Sequence, residues 1–185
     1  MARREIALTL NGAERQIEVE DQVLLIELVR GLGLVGTKLS CDTQVCGACT
    51  VLLDGRPVSS CTTLAIEADG RTVETIEGLA TARVGAPPIG GSEAPALHPI
   101  QQAFIDRFAF QCGYCTPGMI MAAKALLDER PDPDAATVRH WMEGNICRCT
   151  GYGTIVEAIL DAARPDRALR GPDVLPAPSA GRETR

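Results

Sequence analysis

The chain has 185 residues, enough for one domain or two small ones, and carries a formal net charge of −6. Without net positive charge there is no field to attract phosphates, which argues against a nucleic-acid binder. No apolar run approaches the ~20 residues of a membrane span, and the N-terminal stretch lacks the apolar segment of a signal peptide. We therefore expect a cytoplasmic protein.

The first elements predicted are a hairpin and a helix. The stretches EIALTL and RQIEVE alternate apolar and polar residues on either side of Asn11-Gly12, a dipeptide favoured in tight hairpin turns. Asp21 is then expected to cap a helix that ends at Gly31 or Gly33.

More strands are predicted after this helix. A loop with little periodicity covers residues 37–47, and a second hairpin turns at Asp54-Gly55. Two further short strands are expected over TLAIEA and TVETIE. Hairpin, helix, loop and strands together predict a β-grasp-like domain over residues 1–80, within an α+β protein.

The middle of the chain separates two patterns. Residues 81–97 are rich in Gly, Pro and Ala and have no period, which is typical of a surface linker. Beyond it, Ile100, Phe104 and Phe108 fall four residues apart, as one apolar face of a helix requires.

Three more helices are predicted before the chain ends. Pro117 is expected to open the second helix, Asp134 to cap the third, and Gly153 to begin the fourth. Residues 98–163 are therefore predicted to form a four-helix bundle. The polar, Pro-rich stretch 164–185 is expected to be an extended or disordered tail.

Eight cysteines are too many to be incidental in a chain of this size. Without a secretion signal, disulfides are a poor default, so metal or redox chemistry is the leading class. The first group has the spacing C-x4-C-x2-C with a distant fourth cysteine, as in plant-type [2Fe–2S] ferredoxins. Zinc sites more often use two short-spaced pairs. The group consists of Cys41, Cys46, Cys49 and Cys61.

The second group leaves more possibilities open. Two close pairs far apart also describe many zinc sites, and CGYC is compatible with a thioredoxin-like motif, although that motif wants a preceding strand rather than a helix. Each pair lies between two predicted helices, so the four thiols can meet at one end of the bundle. They are Cys112, Cys115, Cys147 and Cys149.

Three stretches, GTKLSCDTQVCGACTVLLDG, FQCGYCTPGMI and GNICRCTGY, occur in that order. Residues 3–163 thereby resemble the small iron–sulfur subunit of the molybdenum hydroxylases, a family that includes xanthine dehydrogenase, aldehyde oxidoreductase and carbon monoxide dehydrogenase. The resemblance implies one [2Fe–2S] cluster in the β-grasp domain and another in the helical domain.

The resemblance also implies partners. A large subunit would hold molybdopterin, as the cytosine dinucleotide, and a medium subunit would hold FAD unless another acceptor serves. By motif position, Gln111 resembles a glutamine that hydrogen-bonds the pterin, and Cys149 resembles the cluster ligand nearest the pterin amine. The chain is therefore expected to be an electron-transfer component, with a free-standing electron carrier and a zinc-stapled interaction module as the alternatives.

Overall fold

The computed structural model describes residues 2–80 and 97–164, which we call the sheet half and the helical half. Apart from Leu97 and Arg164, the predicted linker 81–97 and tail 164–185 lie outside these residues. Strands dominate the first half and helices the second, which confirms the expected α+β class.

The sheet half is built on one five-stranded sheet with the order β2-β1-β5-β3-β4. Strands β1 and β5 run parallel, and the other neighbouring strands are antiparallel. The strands are β1 (Arg3–Leu10), β2 (Ala13–Glu20), β3 (Thr50–Leu53), β4 (Arg56–Ser59) and β5 (Thr72–Glu74).

Both predicted hairpins are confirmed. Asn11 and Gly12 link β1 to β2, while Asp54 and Gly55 link β3 to β4, and all four residues have positive φ. A two-residue turn with both central φ values positive matches the twist of the strands that it joins.

Helix α1 (Leu25–Gly31) ends at Gly31 as predicted, but Asp21 does not cap it. The N-cap is Leu24, whose backbone N–H donates to the carboxylate of Glu27 at 2.8 Å. Asp21 instead accepts a hydrogen bond from Arg4 Nε at 2.6 Å across the β1–β2 ribbon. The helix begins later than predicted, so Asp21 lies three residues before the N-cap position and pairs with Arg4 instead.

Two strand predictions are wrong wholly or in part. TLAIEA forms a 3₁₀ turn over Ala65–Ala68, where the Glu67 carboxylate accepts from the Leu64 N–H at 2.8 Å. TVETIE is a strand only to Glu74 and then becomes α2 (Ile76–Ala80). In both stretches a glutamate close to the N-terminus of the turn favours helical over extended backbone.

The helical half contains α3 (Pro99–Asp106), α4 (Thr116–Glu129), α5 (Ala135–Trp141) and α6 (Gly153–Ala163). Pro117 lies in the first turn of α4, and the Asp134 carboxylate caps α5 by accepting from Thr137 N at 2.7 Å. Both predicted helix starts are therefore confirmed, as is the start of α6 at Gly153.

Phe108 was predicted on the buried face of α3 but lies beyond its end, 79% exposed. The N–H of Ala109 donates to Phe104 O at 2.9 Å and the N–H of Phe108 donates to Ile105 O at 3.0 Å. This is the hydrogen-bond pattern of a Schellman C-terminus, with Phe108 in the left-handed position at φ 49° where glycine is usual. The helix therefore ends before Phe108, although the apolar sequence pattern continues to that residue.

The described residues form two main apolar clusters. Members of the first all lie between Ile6 and Val73. The second packs the four helices together and also takes in Leu52 of β3 and Leu79 of α2. The two halves therefore share part of one core. None of the helices within the described residues is both long and apolar enough to cross a membrane.

Candidate metal centres

The first four cysteines, hereafter the first set, are Cys41, Cys46, Cys49 and Cys61. Cys49 directly precedes β3 and Cys61 follows β4. Because Thr50 pairs with Ser59 in the antiparallel hairpin, these two cysteines meet at its open end, where both are buried. The loop before β3 supplies Cys41 and Cys46, which are partly exposed.

Backbone N–H groups surround the sulfur of Cys41. The N–H of Cys46 donates to Cys41 Sγ at 3.4 Å. The pKa of the Cys41 thiol is lowered to about 6 by hydrogen bonds from three backbone N–H groups, those of Thr43, Cys46 and Val45. Amide dipoles that point at a sulfur stabilise its thiolate form, which is the form that binds metals.

Cys49, one of the two buried thiols of the first set, has a pKa shifted in the opposite direction. Burial raises the pKa of Cys49 to about 11, and the neighbouring thiols of Cys61 and Cys46 raise it too. Like charges confined in a buried site disfavour ionisation unless a cation compensates them. The inner pair, Cys49 and Cys61, therefore suits a positively charged ligand such as iron.

The second set, Cys112, Cys115, Cys147 and Cys149, meets at one end of the helical half. Cys112 and Cys115 lie between α3 and α4, and the other two precede α6. The Sγ atoms of Cys149 and Cys112 are 3.7 Å apart, and both residues are exposed. Burial raises the pKa of Cys115 to about 12, as do the adjacent thiols of Cys147 and Cys112.

A side-chain hydroxyl and a backbone amide both donate to the sulfur of Cys147. Thr150 Oγ1 donates to Cys147 Sγ at 3.2 Å and Thr150 N donates at 3.5 Å. Burial raises the pKa of this thiol, but the hydrogen bonds from Thr150 outweigh it, so the pKa lies below its usual value. The N–H of Cys147 donates to the Tyr152 hydroxyl at 2.9 Å. Sequence reasoning gave neither Thr150 nor Tyr152 a role, although a threonine three residues after a cysteine could have signalled this turn.

The loops that carry the two sets are joined by backbone. The N–H of Ile146, next to Cys147, donates to the carbonyl oxygen of Cys46 at 2.9 Å. Asn145 Nδ2 donates to the carbonyl oxygen of Gly47 at 3.0 Å. Gly47 has φ +68°, and a methyl group on it would overlap Asn145. Only glycine suits this crowded turn.

The two residues predicted to meet a pterin lie together. Gln111 Nε2 donates to the carbonyl oxygen of Cys149 at 3.2 Å. We call the exposed surface around these two residues and Cys112 the mouth of the second set. Gln111, Cys112 and Cys149 are all exposed. Tyr114 donates its hydroxyl to the carbonyl oxygen of Leu39, so the second set's first loop also contacts the loop of the first set.

The donor chemistry fits two [2Fe–2S] clusters. All eight cysteines are free thiols, and each set divides into an inner, more buried pair and an outer pair. A two-iron cluster takes two cysteine ligands on each iron, so a division into pairs suits it. Within the described residues, no three His, Cys, Asp or Glu side chains are grouped around a single metal position.

A hydroxyl beside the second set supports the same fit. Thr116 Oγ1 is buried, and no hydrogen-bond partner for it is found among the described residues. It adjoins Cys115 at the start of α4. A sulfur-rich group bound by the neighbouring thiolates would offer this hydroxyl an acceptor.

The fold and the two thiol sets define a protein with two [2Fe–2S] binding units, and comparison with known families agrees. Residues 8–78 match the family described as "2Fe-2S iron-sulfur cluster binding domain", and residues 75–160 match the "[2Fe-2S] binding domain" family. The nicotine 6-hydroxylase small subunit of Paenarthrobacter nicotinovorans is 44% identical over 86% of this chain and 90% of its own length. The nicotinate dehydrogenase small FeS subunit of Eubacterium barkeri is 44% identical over 86% of this chain and 94% of its own.

A solved structure agrees with these sequence relatives. A chain of quinoline 2-oxidoreductase from Pseudomonas putida 86 superposes with a TM-score of 0.78 at 43% identity, over 91% of this chain and 98% of that one. The chain therefore belongs to the small iron–sulfur subunits of the molybdenum hydroxylase family.

Proposed function

We propose that this chain is the electron-transfer subunit of a molybdenum hydroxylase complex and a component of its oxidoreductase activity. It relays electrons one at a time from a molybdopterin centre on a large partner subunit to a flavin subunit or another acceptor. Family membership supports the electron-transfer role. When bound, each [2Fe–2S] cluster takes up and gives back a single electron.

The eight cysteines are the proposed ligands, four to a cluster. Their support is the grouping of the thiols into two sets on separate loops. Amides at Cys41 and the Thr150 hydroxyl at Cys147 donate to sulfur, so they stabilise the more negative, reduced form of a bound cluster. The chain's own contribution is thus to hold the sulfurs and to set the energy of the added electron.

The observation that carries the relay function is the direct link between the two sets. Cys147 of the second set is covalently joined to Ile146, whose N–H donates to the carbonyl of Cys46 in the first set at 2.9 Å. One hydrogen bond therefore completes a chain of atoms from a ligand of one proposed cluster to a ligand of the other. Electron exchange between two clusters requires their ligand loops to be close, and this contact supports that requirement.

The finer fold assignment belongs to the same proposal. A β2-β1-β5-β3-β4 sheet with parallel β1 and β5 and a helix between its hairpins supports a β-grasp, ferredoxin-like domain. Four helices around a second apolar cluster support the helical [2Fe–2S] domain. The boundaries that we propose are 1–80 and 98–163. The cytoplasmic location stays a prediction.

The exposed mouth of the second set is the proposed side for the molybdopterin subunit. Gln111 and the outer pair, Cys112 and Cys149, are exposed together there. An exposed amide is able to bind the polar edge of a pterin, here proposed as the cytosine dinucleotide form. The partly exposed Cys41 and Cys46 then face the next acceptor, which we propose is FAD on a medium subunit.

Purification of the chain with its partners tests the proposal. We expect about four irons per chain and two distinct EPR signals on reduction, with molybdenum co-purifying on a large subunit. Zinc in place of iron in the second set would support the interaction module instead. Two clusters without a molybdenum partner would support a free-standing carrier.

A further inference from the structure

Asn145 lies at the junction between the two cysteine loops. It is 7% exposed and follows the 3₁₀ turn Met142–Gly144. Its Nδ2 donates to the carbonyl of Gly47 at 3.0 Å and lies 3.3 Å from Thr50 Oγ1. Thr50 Oγ1 in turn donates to the same carbonyl at 2.7 Å. A buried amide with partners on a segment almost a hundred residues away in sequence is a strong geometric constraint.

The two successive residues Asn145 and Ile146 hold two successive carbonyls. Asn145 binds the carbonyl of Gly47 through its side chain, and Ile146 binds the carbonyl of Cys46 through its backbone N–H. The second contact depends on the first, because rotation of the 46–47 segment would take both carbonyls away together. Gly118 of α4 closes the other side, where a methyl group would overlap the oxygen of Gly47.

We infer that Asn145 is a positioning residue for electron exchange between the two cysteine sets. Its amide holds the carbonyl of Cys46 against the N–H of Ile146 and thereby sets the rate of that exchange. The inference rests on the proposed relay function.

Asn145 can affect the exchange rate because the path of atoms from Cys147 to Cys46 contains one non-covalent step. From Cys147 through Ile146, and from the carbonyl of Cys46 to its sulfur, the atoms are covalently bonded, and only the N–H···O contact is not. Electronic coupling falls more steeply across a gap than along bonds, so a longer contact slows the exchange. The exchange moves one electron, makes and breaks no covalent bond and needs no proton.

Two variants of the full chain in its native complex test this inference. Asn145→Asp keeps the shape but replaces the donor by an acceptor that faces the Gly47 carbonyl, and Asn145→Ala removes the donor without adding charge. After rapid photoreduction, we expect the intercluster electron exchange to be several-fold slower in both variants. We also expect weaker spin–spin splitting between the two reduced clusters by EPR. Iron content should not change in either variant, and the two midpoint potentials should not change in Asn145→Ala, which adds no charge.

Asn11→Asp is the matched control. Asn11 also links distant segments, since its Nδ2 donates to Thr75 Oγ1 at 3.0 Å and its Oδ1 accepts from Thr75 N at 2.8 Å. It lies in the β1–β2 turn, so its substitution should leave the exchange rate as in the wild type.

The outcomes separate the inference from the relay function. If wild type exchanges electrons between two clusters but both Asn145 variants match Asn11→Asp, the positioning role is wrong and the relay stands. If both variants lose a cluster, Asn145 serves cluster retention and the inference is also overturned. A wild type without two communicating clusters would overturn the relay function itself.

Discussion

The two cysteine sets hold their sulfurs by different means. In the first set, Cys41 receives backbone N–H groups from a loop that turns through positive φ at Asp42 and Gln44. In the second set, Cys147 receives the side-chain hydroxyl of Thr150 at 3.2 Å and its backbone N–H at 3.5 Å. Backbone donors are present whatever the side chains are, provided that the loop keeps its conformation. One substitution at Thr150 therefore removes the shorter donor to Cys147, whereas the largest effects on the pKa of Cys41 come from backbone N–H groups, which a side-chain substitution does not remove.

The sets also differ in exposure. The outer pair of the first set, Cys41 and Cys46, is partly exposed, whereas the outer pair of the second set, Cys112 and Cys149, is exposed. A donor or acceptor on another protein can therefore approach the second set more closely. The second set is therefore the more accessible of the two, although the outer pair of the first set also reaches the surface.

The largest effect is expected from substituting one cysteine of the inner pair in each set. Cys61→Ala should abolish the EPR signal of the first cluster, and Cys115→Ala that of the second, with iron falling from about four to about two per chain in each case. The reason is that each variant leaves a set with three thiols. Thr62→Ala, beside Cys61, should keep both signals. Loss of both signals from either cysteine variant would mean that the sets do not assemble separately.

A smaller effect is expected where the two sets come closest. A methyl group at Gly118 would overlap the Gly47 oxygen and lie 3.1 Å from the Cα of Ala48. Gly118→Ala should therefore destabilise the protein by about 1–3 kcal/mol, although alanine favours a helix by about 1 kcal/mol. Thermal unfolding should show a lower midpoint.

Gly31→Ala in α1 is the matched helical control, because nothing lies within 4 Å of its methyl position. It should leave the midpoint unchanged or raise it slightly. An equal midpoint for the two variants would show that the contact between α4 and the first set's loop is loose.

The difference in sulfur donors gives the third prediction. Thr150→Val removes the hydroxyl that stabilises negative charge on Cys147 Sγ. The potential of the second cluster should fall by roughly 20–60 mV, equivalent to a hydrogen bond of about 0.5–1.5 kcal/mol. Thr150→Ser should restore it, and the first cluster should not respond. EPR-monitored redox titration of the wild type and both variants measures the two potentials. A fall in both potentials for Thr150→Val would contradict the expectation that Thr150 affects only the second cluster.

The smallest effect concerns the start of the helical half. His98 Nδ1 accepts from Ile100 N at 3.3 Å and caps α3, and its pKa is lowered by burial first and by Lys124 second, against the opposing effects of Asp128 and Glu74. The unfolded chain therefore takes up this proton at higher pH than the folded one. The contribution of neutral His98 is complete above about pH 6.5 and is lost as the pH falls towards the lowered folded value.

Thermal unfolding at pH 7 and pH 5.5 checks this, with a decrease of a few degrees expected. His98→Asn keeps a capping side chain that does not titrate, so its decrease over this range should be smaller. An equal decrease in both proteins would place the pH dependence elsewhere.

Local signals in the sequence were enough for much of this fold. Asn11-Gly12 and Asp54-Gly55 predicted both hairpins, because their tolerance of positive φ is a property of the residues themselves. Pro117 and Asp134 predicted helix starts for the same kind of reason. Cysteine spacing predicted the two sets, although no local rule says which thiols form the inner and outer pairs.

The failures have a physical origin in contacts between distant residues. Asp21 pairs with Arg4 of β1 while the helix begins only at Leu25, and the hydrogen-bond partners of Asn145 lie 95 and 98 residues away. Phe108 continued the apolar periodicity of α3, yet a Schellman turn ended the helix first. Local sequence patterns show neither which distant residue a side chain will contact nor at which residue a helix will end.

The shared core has a consequence for the order in which the two halves are expected to fold. The cluster of the sheet half lies between Ile6 and Val73, so it is complete once the first half of the chain has left the ribosome. The helical cluster needs Leu52 and Leu79, both of which the earlier half supplies. We therefore expect the sheet half to fold first during synthesis and the helical half, with the second set of thiols, to pack onto it afterwards.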